Sequence, residues 1–195
     1  MNSNIILASK SEVRRKILEK NGINCTVLPA NIDEDLIKNS LTNEGASPEL
    51  ISKNLAELKA NKISEKNNEN LVLGADSIID LNGKIISKPS DRLEALHILK
   101  KLNGKKHQLI SSVCISKNGR MIWNYTDKAF LTMKKLHLKD LKLYLEKIPD
   151  KDLYAYNVYQ IEGEGRKLFS EIKGDENTIM GLPIKKIQTY LGSLK

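Results

Sequence analysis

Leu71-Val72-Leu73-Gly74-Ala75-Asp76-Ser77-Ile78-Ile79-Asp80 is the stretch from which the rest of the chain is read. Its apolar residues fall at odd and even positions alike, the pattern of a central strand covered on both faces. Asp76 interrupts that pattern. An ionised carboxylate withdrawn from water is costly unless a cation, a metal or hydrogen-bond donors meet it. Two readings stand at this point. Either the strand ends at Gly74 and Asp76 opens a turn, or the strand runs on and Asp76 is a buried, partnered carboxylate.

On either side of this run, strand and helix signals alternate, which predicts an α/β fold in a single domain spanning residues 1–195. A first strand is expected at Asn4–Leu7, then a helix capped by Ser11 and closing near Gly22, then a strand at Cys25–Leu28. Ser47-Pro48-Glu49 supplies a cap, a proline at the first helical position and an early acid for a helix reaching about Lys66. Asn82-Gly83 is a tight hairpin signal leading into Lys84–Ser87. A helix at Asp91–Leu102, a long hairpin of His107–Ser116 with Met121–Thr132, a helix at Lys139–Lys147, a strand at Lys167–Ile172 and a helix at Pro183–Leu191 complete the prediction. Ile32–Ala46 and Asp150–Arg166 are expected to be irregular loops that line a site.

The formal net charge of +8 favours an anionic partner such as a nucleotide, a phosphorylated metabolite or nucleic acid. Much of the excess is lysine in a chain also rich in Asn and Ile, so compositional bias accounts for part of it. Aromatic residues make up only 5% of the chain and no basic stripe is concentrated on one element, so no stable nucleic-acid complex is expected. Cys25 and Cys114 lack metal-ligand spacing and are read as reduced structural thiols. With no basic leader and no run of membrane-spanning length, a soluble cytoplasmic protein is expected. The sequons at Asn24 and Asn124 are then coincidental.

Several residues carry candidate chemistry. Arg14 and Arg15 fall in the first helical turn, where the helix dipole disfavours cations. Beside Ser9 and Ser11 they make sense if an anion docks there, and otherwise they are solvated. Asp33-Glu34 is either a solvated acidic loop or a source of one carboxylate. Glu34 with Asp76 would suit Mg²⁺, which takes few protein ligands and fills its shell with phosphate oxygens and water. Lys59 is the lysine of its helix nearest the buried stripe of Leu50, Ile51, Leu55 and Leu58. Counting back across Asn82-Gly83 sets Leu81 opposite Lys84, and by extension Ser77 opposite Lys88 and Asp76 opposite Pro89. Lys88 is therefore expected near Asp76, with a twist or bulge at Pro89 turning it inward.

Other chemistries find no support. Gly163-Glu164-Gly165 lacks the context of a dinucleotide site, and there is no Walker A sequence. His97, His107 and His137 have no metal spacing, and no nucleophilic triad or dyad stands out.

Taken in order, the motifs resemble the Maf family of nucleoside triphosphate pyrophosphatases. They are Leu7-Ala8-Ser9-Lys10-Ser11-x-x-Arg14, Ile32-Asp33-Glu34, Leu55-Ala56-x-x-Lys59-Ala60, Leu73-Gly74-Ala75-Asp76 and Lys88-Pro89. Leu102-Asn103-Gly104-x-x-His107, Glu162-Gly163-x-Gly165, Gly174-Asp175 and Gly181-Leu182-Pro183 follow. Each is short, but together they cover nearly the whole chain. The resemblance implies an elongated mixed sheet with flanking helices and two lobes around a central cleft. It implies hydrolysis of a nucleoside triphosphate to the monophosphate and pyrophosphate with a divalent cation (Mg²⁺, Mn²⁺ or Co²⁺). Asp76 is then the catalytic and metal-side carboxylate, Glu34 a second metal ligand, and Ser9, Ser11, Arg14, Lys59 and Lys88 surround the phosphates. A homodimer is compatible with the resemblance, and an older association of the family with septum formation leaves a non-catalytic nucleotide- or nucleic-acid-binding regulator as the rival.

Three positions depart from the family pattern: Glu12 stands for Pro, Asn157 for Gly and Ser111 for Thr. Members acting on dTTP and UTP carry Arg, Thr and Gln where this chain has Val13, Ser77 and Glu162, and the 7-methyl-GTP branch carries a bulky residue, Gln and Glu. Glu162 can accept from the N–H edge of guanine, whereas a pyrimidine carbonyl would face it acceptor to acceptor. The expected base is accordingly guanine-like, such as 7-methyl-GTP, with dTTP or UTP as the alternative.

Overall fold

The computed structural model describes residues 5–156 and 158–194. In chain order the elements are β1 (Ile5–Leu7), α1 (Glu12–Lys20), β2 (Cys25–Val27), α2 (Glu34–Asn43), α3 (Pro48–Ser64), β3 (Val72–Leu81), β4 (Lys84–Ile86) and α4 (Arg92–Leu102). They continue as β5 (Lys106–Lys117), β6 (Arg120–Met133), α5 (Leu138–Glu146), α6 (Asp150–Tyr156), a 3₁₀ turn (Glu164–Leu168), β7 (Phe169–Lys173), α7 (Glu176–Ile179) and α8 (Ile184–Ser193). One seven-stranded mixed sheet runs β2-β1-β3-β5-β6-β7, with β4 also paired to β3. β1 pairs parallel with β2 and β3, and the other ladders are antiparallel. No helix among the described residues is long and apolar enough to cross a membrane.

The strand continues through Asp76, so the turn reading fails. One edge of β3 pairs with β5 without a break from Val72 to Asp80. Its other edge changes partner: Val72 and Leu73 pair with β1, and Ile79, Asp80 and Leu81 pair with β4. Between these ladders, residues 74–78 present an edge that no strand among the described residues covers. A gap where strand partners change is where open α/β sheets bind ligands, and Asp76 lies in it.

The core divides at the same place. Leu73 and Ala75 join Ile5, Leu7, Leu18, Val113, Ile115 and Ile187 in one cluster beneath α1 and α8. Ile79 joins Leu99, Leu102, Leu109, Leu131 and Leu141 in another beneath α4 and α5. The two-lobed arrangement therefore follows from one strand that serves both cores and is polar between them. On the opposite face α3 lies unusually close. A Cβ on Gly74 would fall 2.1 Å from the Ala56 carbonyl oxygen and 2.7 Å from the Ala60 amide nitrogen. Glycine on the strand and alanines on the helix let α3 bring Lys59, which lies between them in sequence, onto Asp76.

Three expectations need correction. Residues 34–43 form α2 instead of a loop, because Asp33 caps the helix by accepting from the Leu36 amide at 3.0 Å. α2 fully buries none of its residues and leaves Leu36 67% exposed, and its apolar face is only the half-buried pair Ile37 and Leu41 against Ile51, Leu55 and Ile78. The span 150–166 likewise holds α6 and the start of the 3₁₀ turn. The β3–β4 ladder does set Leu81 opposite Lys84, but it stops at Ile79–Ile86, so Ser77–Lys88 and Asp76–Pro89 are not paired. Pro89 offers no N–H to extend the ladder and restricts the residue before it. The chain leaves the sheet there, and that departure creates the uncovered edge.

Candidate active site

β3 sends alternate side chains to opposite faces, and this divides the site. Asp76 points to the α3 face, is only 4% exposed, and accepts a hydrogen bond at 2.9 Å on Oδ1 from Lys59 Nζ. Lys59, 6% exposed, reaches Glu34 Oε1 at 2.9 Å with the same ammonium. One buried cation thus bridges two carboxylates from two different elements. Asp76 Oδ2 is buried and has no hydrogen-bond partner among the described residues. Its backbone carbonyl accepts from the Ser52 hydroxyl at 3.3 Å, which anchors α3 to the strand at that point. Burial pushes the Glu34 carboxyl up, but Lys59, Lys38 and Lys88 more than offset this and hold it below the usual carboxylate range.

Ser77 points to the other face and meets Arg14. The guanidinium donates from Nη1 to Ser9 Oγ (3.1 Å) and the Ala75 carbonyl (3.0 Å), from Nη2 to Ser77 Oγ (3.0 Å), and from Nε to the Gly181 carbonyl (2.9 Å). These bonds take four of its five N–H donors, leaving one on Nη2 for a ligand. Arg14 ties the loop after β1 and the Gly181 turn to the bare edge of β3. Gly181 has φ +95°, and a Cβ there would fall 2.9 Å from Ser77 Oγ and 3.3 Å from Arg14 Nε, so the clamp closes only around a glycine. Ser77 continues through Ser111 Oγ (2.9 Å), which donates to the Thr178 carbonyl at 2.7 Å. At Ser111, where the family pattern has Thr, the hydroxyl is therefore in use.

Arg15 does not join this group. It turns outward to salt bridges with Glu12 and with Glu19, the latter at 2.6 Å, so of the two arginines only Arg14 lines the cleft. Ser11 caps α1 by accepting from the Arg14 amide at 3.4 Å. Ser9 Oγ accepts from both the Ser11 amide (3.2 Å) and Arg14, which leaves its own proton to donate into the space in front.

That space is a cleft of about 490 Å³. Ser9, Ser11, Val13, Arg14 and Ser77 line one side, and Glu34, Lys59, Asp76, Lys88 and Glu162 line the rest. Of the residues singled out as candidates, Arg15 and Asp33 do not line this cavity, and these ten do. Lys10, from the first motif, also faces it, as do Lys38, Lys151, Gln160 and Ile161, which no motif indicated, and Tyr159. Lys38 and Lys151 carried no distinguishing signal in a lysine-rich chain. Lys88 has left the sheet and keeps part of its surface in solvent. Loss of solvent around its ammonium, together with Arg14, Lys38 and Lys59, pulls its pKa below that of an ordinary lysine. Behind the cleft, His107 Nε2 and the Tyr159 hydroxyl meet at 2.9 Å. Burial drives the His107 pKa down to about 4, so the imidazole is neutral at physiological pH. The departure at Asn157 lies outside the described residues.

The sequence matches the family described as Maf-like protein over residues 4–194. It is 70% identical to a nucleoside triphosphate pyrophosphatase of Pelagibacter ubique (strain HTCC1062), a match covering 98% of each chain. The chain belongs to the Maf family. Among other Maf relatives, a 7-methyl-GTP pyrophosphatase of Brucella abortus is 38% identical over 94% of this chain and 92% of its own. Among solved structures, the Staphylococcus aureus Ham1 protein is similar at a TM-score of 0.41 with 16% identity, covering 68% of this chain and 73% of that one. The uncovered β3 edge with Asp76, Lys59 and Glu34 is thus a feature of a Maf-family cleft.

Proposed function

We propose that this cleft hydrolyses nucleoside triphosphates between the α- and β-phosphates, releasing the monophosphate and pyrophosphate. The chain is a Maf-family nucleoside triphosphate pyrophosphatase. The observation that carries the mechanism is Asp76 Oδ2, a buried carboxylate oxygen without a partner, at the edge of a cation-lined cleft. Lys59 holds the other oxygen and fixes the orientation of the carboxylate. Oδ2 is then the atom that orients a water molecule and takes its proton as the water oxygen bonds to the α-phosphorus. The α–β bridging P–O bond breaks and its electron pair leaves with pyrophosphate. Lys59, Lys88 and the free Ser9 proton face the phosphate charge, and Arg14 contributes its one remaining Nη2 donor.

Glu34 and Asp76 are the residues that would hold a divalent cation. No group of three or more His, Cys, Asp or Glu side chains comes together among the described residues. Two carboxylates, one with an orphaned oxygen, fit a hard cation such as Mg²⁺, Mn²⁺ or Co²⁺ that completes its shell with phosphate oxygens and water. When bound, such an ion neutralises charge developing on the phosphates.

The base lies against Val13, Ser77 and Glu162. Ser77 Oγ is held by Arg14 and Ser111, while Glu162 lines the cleft with its carboxylate exposed. An acceptor pair at that position favours the N–H edge of a guanine-like base, and 7-methyl-GTP is the preferred candidate. The Brucella relative's name is consistent with this choice. A panel of 7-methyl-GTP, GTP, dTTP and UTP with each metal, scored for pyrophosphate, tests both parts. The expected result is preference for the guanine bases, relaxed in Glu162→Gln. Preference for dTTP that is unchanged in Glu162→Gln overturns the base assignment, and no pyrophosphate from any substrate overturns the activity.

A further inference from the structure

A second cavity, of about 800 Å³, opens beside the cleft between α2, the start of α3 and the β3–β4 turn. Glu34, Lys38, Ile85, Ser87 and Lys88 line both spaces, whereas Asp76, Ser77 and Glu162 line only the cleft. The two spaces therefore share a boundary that carries Lys38 and Lys88, while Asp76 lies on the cleft side of it. Lys84, from the β3–β4 turn, faces that cavity too.

The boundary lysines are underused by the protein. Lys38 has a side chain only 21% exposed, yet it makes no hydrogen bond to any described residue. Its one ion pair is a loose 3.6 Å contact with Glu34 Oε2, and the other oxygen of Glu34 is committed to Lys59 at 2.9 Å. Lys88 forms no salt bridge or hydrogen bond with any described residue and is crowded by Lys38, Lys59 and Arg14. Lys38, Lys84 and Lys88 share this lining with Glu34 and Asp35, and Glu34 is already committed to Lys59, so the cavity keeps a surplus of positive charge suited to an anionic ligand.

We propose that the second cavity is a polyphosphate subsite in which Lys38, with Lys84 and Lys88, receives phosphates beyond the scissile bond. The inference rests on the reading above that Asp76 marks the reacting centre. It assigns Lys38 to the leaving-group side and extends the substrate class to nucleoside 5′-tetraphosphates. In that reaction water oxygen bonds to the α-phosphorus, the α–β bridging bond breaks, and tripolyphosphate departs with the electron pair while the proton passes to Asp76. A triphosphate places its γ-phosphate at the boundary, and a tetraphosphate places one phosphate farther, inside the cavity.

Calorimetric titration of the full chain with Mg²⁺ and either inorganic pyrophosphate or inorganic tripolyphosphate tests this without requiring turnover. Tripolyphosphate should bind about tenfold more tightly than pyrophosphate, the worth of roughly one added charge-assisted contact. Lys38→Ala should abolish that advantage and Lys38→Arg should retain it, with the thermal midpoint of each variant recorded to verify folding. Equal affinity of the wild type for the two anions, or an advantage that survives Lys38→Ala, overturns the subsite. Nucleoside triphosphate hydrolysis measured on the same preparations separates the two claims. Turnover without the tripolyphosphate advantage removes the subsite alone, and the advantage without turnover removes the pyrophosphatase reading alone.

Discussion

Replacing Lys59 by Met should do more damage than its single positive charge suggests. Lys59 and Asp76 are 6% and 4% exposed and their charged atoms are 2.9 Å apart. At an effective dielectric constant of about 20, that separation corresponds to an attraction of about 6 kcal/mol. Desolvation of both groups offsets much of this attraction, yet removing one partner strands the other charge in the interior, at a cost of about 3–5 kcal/mol. Glu34 adds little, because it is 41% exposed and solvent screens its share. Urea unfolding at neutral pH in the presence of a chelator should therefore show Lys59→Met less stable by about 3–5 kcal/mol. Adding Asp76→Asn to that variant should recover a large part of the loss, because the stranded charge is gone. A Lys59→Met cost below about 1 kcal/mol, or losses that simply add in the double variant, would refute the buried-pair reasoning.

The Glu34 carboxyl is held below its ordinary value of 4.5, so the stabilisation it provides is fully present above that pH and is lost as pH falls through the lowered folded value. The stability gap between wild type and Glu34→Gln, followed by denaturant titration from pH 7 to pH 3, should shrink below about pH 4.5. His107 acts in the same direction but over a higher pH range. Its folded pKa of about 4 lies below the ordinary 6.5, so the unfolded chain binds the extra proton first and stability falls as pH drops from 6.5 towards 4. His107→Phe should flatten that stretch of the stability–pH curve, removing a slope that amounts to about 3 kcal/mol in all. Gly74→Ala forces a Cβ to within 2.1 Å of the Ala56 carbonyl oxygen. It should lower stability by about 3 kcal/mol and reduce pyrophosphate release by displacing Lys59, which thermal denaturation and turnover measurements on one preparation can verify.

Much of this architecture was legible in the residues. The apolar run around Asp76, the Ser47-Pro48 helix start and the Asn82-Gly83 turn all lead to elements that the chain forms, because each rests on strong local physics. α2 was not read from the sequence, although Asp33 is a sound cap, since its apolar face is only the half-buried pair Ile37 and Leu41. The hairpin count failed beyond Ile86 because Pro89 ends the ladder, while the consequence it was meant to explain, Lys88 at the site, came about through the strand's departure. Arg14 was expected to face phosphate. Its bonds to Ala75, Ser77 and Gly181 join residues up to 167 positions apart, and no local pattern reveals such a clamp. The Lys59 bridge between Asp76 and Glu34 was likewise a tertiary fact, since it depends on how closely α3 settles over Gly74.

The measurement closest to the central claim follows the oxygen. Hydrolysis of the preferred nucleoside triphosphate in ¹⁸O-labelled water should place the label in the nucleoside monophosphate and leave the pyrophosphate unlabelled, with the rate in Asp76→Asn falling by at least about 100-fold. Label in pyrophosphate or orthophosphate would mean attack at another phosphorus. An Asp76→Asn protein that keeps the full rate would show that the unpartnered oxygen on β3 is not the one that handles the water.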